Sequence, residues 1–149
     1  MNRITLFTVL FLATAVGNAA ADCAKNPVNG DAIDTLLTAK LVCGRPAGGY
    51  TGSPSDRWQE EHLSTGDLYD YKKGPTDKVD PRTKVGTWAR SGNVVTYTYS
   101  PTKIFDYNVF LISGNTYSFC TVVKGKGVGT EVVRANIITS STGCGGIFP

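Results

Sequence analysis

The tripeptide Ser-Gly-Asn occurs twice, at 91–93 and 113–115, and each copy separates two runs of β-branched and aromatic residues. Residues 94–99 read VVTYTY, which puts Val95, Tyr97 and Tyr99 on one face of an extended chain and Val94, Thr96 and Thr98 on the other. Residues 104–112 read IFDYNVFLI, with Phe105, Tyr107, Val109 and Leu111 opposite Asp106 and Asn108. Residues 116–123 read TYSFCTVV, with Tyr117 and Phe119 alternating against Ser118 and Cys120. This composition at period two is that of half-buried strands. A short turn holding a Gly that can take positive φ is what a tight hairpin requires. A third such turn, Ser64-Thr65-Gly66-Asp67, lies between RWQEEHL and LYDYKK. The three hairpins pair residues 57–63 with 67–73, 84–90 with 93–99, and 103–112 with 115–123.

A strand is expected before them at 36–43 (LLTAKLVC) and a last element after them at 130–139 (TEVVRANIIT). The spacing of Val133 and Ile137 also fits a helix, but the Val, Ile and Thr content favours a strand. The chain therefore reads as all-β, an antiparallel meander of about eight strands with nothing resembling a βαβ unit. Such a meander closes, fully or partly, into a small barrel that removes its own edges; a two-sheet β-sandwich is the alternative. Its 149 residues suit a single domain of ordinary size. Residues 44–56 and 74–83, with their prolines and glycines, read as surface loops.

The first residues carry an address. Arg3 precedes an uncharged apolar run from Ile4 to Gly17, too short to span a bilayer comfortably, and Ala19-Ala20-Ala21 supplies the small residues a signal peptidase reads. Residues 1–21 are expected to be a signal peptide and 22–149 a single disulfide-bonded β domain, periplasmic or secreted, with no membrane span after cleavage. Asp22 before Cys23 is not the residue a lipidation motif uses. All four cysteines lie beyond residue 21, and an even count in an exported chain implies two disulfides. Three pairings are possible. Cys43 at the end of the first strand and Cys120 in the seventh would tie a barrel shut, and domain termini tend to lie close together. Cys43–Cys120 with Cys23–Cys144 is therefore the favoured pairing. The cysteines lack C-x-x-C spacing and His62 is the single imidazole, so no metal site or other cofactor is expected.

The segments Leu41-Val42-Cys43, Trp58 with Glu61, Gly86-Thr87-Trp88 and Tyr117-Ser118-Phe119-Cys120 resemble, in order, those of small exported bacterial domains of lipocalin-like type. The resemblance spans residues 36–123 and implies a β-barrel. Gly86-Thr87-Trp88 is also similar to the G-T-W of avidin-type barrels. With Trp58 and Trp88 as the two tryptophans of the chain, neither resemblance carries a ligand over.

Three clusters bear on function. On a strand, Trp58, Glu60 and His62 share a face, with Glu60 and His62 about 7 Å apart at their Cα atoms. A carboxylate at that distance can tune an imidazole for acid–base work, as a hydrolase would need. The plainer reading is a solvated outer face that ends at a hairpin. Asp67, Asp70, Asp77 and Asp80 lack the spacing of a calcium loop and are interspersed with Lys72, Lys73, Lys78 and Lys84, so they read as solvated loop charge. Those lysines with Tyr69 and Tyr71 could instead form a patch for an anionic polymer. A formal charge of +3, from 15 basic and 12 acidic residues, is too mixed to suggest nucleic acid. The third cluster is aromatic. If Tyr97, Tyr99, Phe105, Tyr107, Tyr117 and Phe119 face inward, they fill a barrel or wall a cavity within it, their hydroxyls orienting a ligand.

The expected function is that of an exported, non-enzymatic β-barrel binding protein for a small molecule or a protein, with Tyr97, Tyr99, Tyr107, Tyr117 and Trp88 as ligand-binding residues and none catalytic. Two alternatives stand beside it: an inhibitor or interaction protein acting through loop 44–56 or 74–83, and a hydrolase using Glu60 and His62. The address makes a direct prediction. N-terminal sequencing of exported material should begin at Asp22, and recovery of intact Met1 in a membrane fraction would refute it.

Overall fold

The computed structural model describes residues 23–49, 56–70, 82–125, 127–139 and 143–149. The expected signal peptide lies outside these residues, as do Tyr71, Lys72, Lys73, Asp77, Lys78, Asp80 and most of the two expected loops. The elements are β1 (Pro27–Val28), α1 (Asp31–Leu37), β2 (Lys40–Pro46), β3 (Trp58–His62), β4 (Asp67–Asp70), β5 (Thr83–Ser91), β6 (Val94–Ser100), β7 (Lys103–Ser113), β8 (Thr116–Val123) and β9 (Gly127–Ile138). All pairings are antiparallel. Strands β2 to β9 follow one another as a meander, and β9 returns to pair with β2, so eight strands close a ring. The ring is not evenly spaced round an axis. Among the described residues no helix is long and apolar enough to cross a membrane.

The hairpins form where the turn chemistry puts them. Gly92 and Gly114, the centres of the two Ser-Gly-Asn turns, have φ of +60° and +52°, a region that an L side chain rarely adopts. The last element is a strand, as its β-branched content suggests. The segment 36–43 departs from expectation. Its first two residues, Leu36 and Leu37, end α1, and the strand starts only at Lys40. Between them the chain turns at Thr38 and Ala39, where Ala39 takes φ +56° and donates its N–H to the His62 carbonyl at 2.7 Å. The reason is a competing period: Ile33 and Leu37, four apart, lie on one face of a helical turn, and both are fully buried.

Helix α1 plugs one end of the ring. Ile33 and Leu37 join Val95, Val109 and Ile137 in the core. The helix is held to the β5–β6 hairpin by polar contacts. The Gly30 N–H donates to Asn93 Oδ1 at 2.9 Å, and Arg90 reaches Asp34 Oδ2 at 2.6 Å and Asp31 Oδ1 at 2.9 Å. These two acids sit in the first turn, where the helix dipole also favours negative charge.

The disulfides are Cys23–Cys120 and Cys43–Cys144, which corrects the favoured pairing. Cys43 and Cys120 stand on β2 and β8, the two strands on either side of β9. Strands two apart in a sheet are separated by about 9–10 Å, whereas disulfide Cα atoms usually lie about 4.4–6.8 Å apart. Each bridge instead ties a terminal segment to the outside of the ring. Cys23 packs with Phe110 and Cys120. Cys144 packs with Leu41 and Cys43, supported by Ile138 and Phe148, and its N–H donates to Gln59 Oε1 at 2.8 Å. Arg45 donates to the Pro149 carbonyl, and the Arg57 guanidinium lies 5.2 Å from the Phe148 ring centre.

Non-reducing peptide mapping should return Cys23–Cys120 and Cys43–Cys144 peptides; a Cys43–Cys120 peptide would contradict the order of strands around the ring. The bridges span 97 and 101 residues. By chain entropy each contributes up to about 5 kcal/mol, so replacing Cys43 and Cys144 by Ser should lower the unfolding midpoint severely.

Candidate functional site

Further along the same strands, away from α1, the interior is not filled. A cavity of about 230 Å³ lies between Val42, Trp58, Glu60, Tyr97, Tyr99, Tyr107, Phe119 and Val133. Alternation along each strand delivers these side chains. Strand β6 supplies Tyr97 and Tyr99, β7 supplies Tyr107, β8 supplies Phe119, and β3 supplies Trp58 and Glu60. Gly44, opposite Trp58 in register, makes room for the indole: a Cβ there would lie 2.6 Å from the ring. Tyr97 and Tyr99 are stacked at 10°, and Tyr107 and Phe119 stand at steep angles to Tyr97. Tyr107 meets Phe119 at 88° with centres 6.0 Å apart, and Tyr97 meets Tyr107 at 59° and 5.8 Å.

The face of β3 that carries Trp58, Glu60 and His62 points inward, correcting the reading of it as solvated exterior. Its register with β4 decides this, because His62 stands opposite Leu68 and both are fully buried. The outer side of β3 is in turn occupied by Gln59, under the C-terminal segment, and by Glu61, which pairs with Arg82 at 2.7 Å.

Inside, two ionisable groups are pushed in opposite senses by the same desolvation. Glu60 is 8% exposed, and burial raises its carboxyl to about 7, the neighbouring Asp70 charge adding to the rise. The Tyr99 hydroxyl donates to Glu60 Oε1 at 2.6 Å and pulls the other way. Tyr99 and Tyr107 are themselves held above the usual phenol range by burial and by the Glu60 charge. His62 is lowered to about 4 by burial, despite its bond to the Glu60 carbonyl. A carbonyl can only accept, so Nδ1 donates to Glu60 O at 3.2 Å and Nε2 accepts from the Tyr97 hydroxyl at 2.9 Å. With both nitrogens engaged and no exposed surface, His62 is a neutral structural group. Glu60 and His62 share a face without making an acid–base pair.

Of the ligand-binding residues expected from sequence, Tyr97, Tyr99 and Tyr107 come together at the cavity. Trp88 and Tyr117 do not. Trp88 is packed edge-on against His62, ring centres 5.4 Å apart, with its N–H on the Leu63 carbonyl at 3.0 Å. Tyr117 lines a wider groove beside α1, together with Leu36, Leu111 and Ile138. Trp58 and Glu60 are wall residues that the aromatic pattern of β6–β8 did not reach. The signal that finds them is the hairpin register, which carries the inward parity of Leu68 across to β3.

Of the charges read as solvated loop charge, those described stand on strands, which corrects that reading: Asp67 on β4 pairs with Lys84 on β5 at 2.7 Å, and Asp70, half-buried on β4, is opposite Glu60 in register and so faces the same side. Among the described residues no group of three or more His, Cys, Asp and Glu side chains is arranged to hold a metal ion. No protein-family model, curated protein or solved structure matches the chain.

The two buried groups oppose each other in stability. Between about 4.5 and 7 the native Glu60 keeps a proton that the unfolded chain has released. Its contribution is complete below about 4.5 and is lost as pH rises to about 7. Between about 4 and 6.5 native His62 lacks a proton that the unfolded chain has taken up. That contribution is complete above about 6.5 and is lost as pH falls to about 4. In the shared window the slopes cancel. Denaturant unfolding of Glu60→Gln should expose the His62 limb: the variant should gain on the wild type by up to about 1.4 kcal/mol per pH unit as pH rises from 4.5 to 7. A difference independent of pH would show that Glu60 is not buried as described.

Proposed function

We propose that this protein is an exported, non-enzymatic β-barrel that holds a small molecule in the cavity between Trp58, Glu60, Tyr99 and Tyr107. The observation that carries the reading is the cavity itself, a space of about 230 Å³ inside the ring, walled by aromatic rings around one carboxyl–hydroxyl pair. Apolar walls with few convergent polar groups are the usual make-up of a small-molecule site. The volume is below the roughly 300–1,000 Å³ of sites for drug-sized ligands, which limits the occupant to a small one. Export accords with two disulfides, since such bridges persist in oxidising compartments. A binding role rather than a hydrolytic one accords with the closed environment of His62, the residue a hydrolase on this strand would need.

Native mass spectrometry of protein purified from its own host tests the reading. A small molecule should travel with the wild type and be lost from Trp58→Ala, with affinity reduced at least tenfold. A stoichiometric protein partner and an empty cavity would overturn it in favour of an interaction protein acting through its loops.

A further inference from the structure

Resting on that reading, we propose that the occupant of the cavity is a small organic cation, an alkylammonium or quaternary ammonium group held by Glu60 and the surrounding aromatic faces. Glu60 is the single carboxyl among the described lining residues, and none of them is basic. Asp70, its partner in register on β4, adds a second negative group on the same side of the sheet. The remaining walls are largely aromatic. Ring faces carry negative potential, and a desolvated cation over several of them is a recurring mode of ammonium recognition. Tyr97 and Tyr99 are nearly parallel, at 10°, while Tyr107 and Phe119 stand at 59–88° to Tyr97 and to each other, so the walls face the space from more than one direction. Trp58, over Gly44, supplies another wall. The carboxyl and the ring faces, with no basic side chain among the described lining residues, favour a cation over an anion.

The energetics agree. A carboxylate buried in this way is penalised until something positive pairs with it. Where no cation pairs with it, that role falls to the proton that burial retains on Glu60. An ammonium group entering the cavity would displace that proton and take its place against Oε1 and Oε2, with the Tyr99 hydroxyl still donating to the carboxylate and keeping it oriented. The aromatic rings would meet the methyl or methylene groups of the cation. A hydrated metal ion would lack the further oxygen ligands that such ions take, because the lining offers one carboxyl and three phenols.

Isothermal titration calorimetry of the disulfide-intact protein at pH 8 tests this with choline and with 3,3-dimethylbutan-1-ol, which has the same shape with a neutral carbon in place of the nitrogen. Choline should bind at least tenfold more tightly than the alcohol, and Glu60→Gln, which keeps the side-chain shape and an acceptor for Tyr99, should reduce that preference to within about threefold. The wild-type comparison stands by itself if the variant folds poorly. Equal binding of the two probes would overturn the cation inference while leaving the cavity reading in place. A preference for choline that survives in Glu60→Gln would also overturn it. Binding of neither probe, together with a neutral small molecule seen by native mass spectrometry, would refute the charge argument alone; binding of neither with an empty cavity would refute both.

Discussion

Strand β9, the last of the meander, lies between β2 and β8, and the interior exists because it pairs with both. It meets β2 from Leu41↔Ile138 to Pro46↔Val133 and meets β8 from Thr116↔Asn136 to Val123↔Gly127. Without it, β2 and β8 would be open edges, and the row of tyrosines on β6 and β7 would face solvent or another chain. With it, each strand has an inside and an outside. The inward parity of β3 then places a carboxyl and an imidazole in a low-dielectric space, and the properties of the site follow from that placement.

The interior is divided along its length. Near α1 it is an ordinary hydrophobic core built on Ile33, Leu37, Val95, Val109 and Ile137. Next comes a layer in which His62 is bracketed by Trp88 and Tyr97, its two nitrogens spent on the Glu60 carbonyl and the Tyr97 hydroxyl. Beyond that layer the space opens into the cavity. A fully satisfied polar layer is rigid, because moving any member strands a buried hydrogen-bonding group. It gives the cavity a fixed floor and keeps the single imidazole out of reach of anything bound above it.

The outside of the ring has its own organisation. The segments around Cys23 and Cys144 are too short in regular structure to hold themselves in place, and each is stapled to a wall strand by a bridge and packed on a small apolar patch. Those patches lie on the outward side of β2 and of β7–β8, so strands that would show one solvated face are covered on both. Gln59 shows the consequence: a polar residue on the outer face of β3 is buried because the C-terminal segment lies over it and donates to it.

Much of this was legible in the chain. The strands from 94 to 123, their turns at Gly92 and Gly114, the all-β meander and the presence of two disulfides follow from local alternation, turn chemistry and cysteine count, which are properties of neighbouring residues. So does the shared face of Tyr97 and Tyr99 on one strand, while the register of β6 with β7 brings Tyr107 to the same side. The rest depended on which strands meet across the ring. Residues 36–37 were drawn into a helix by the burial of Ile33 and Leu37 against side chains some sixty to a hundred residues away. The cysteine pairing depended on β9 standing between β2 and β8. The inward turn of Glu60 and His62 depended on their register with Leu68, and the altered proton affinities of both depended on the desolvation that closure imposes. Local sequence carries the period of a strand, but the sign of its faces is set by what the closed sheet puts on either side of it.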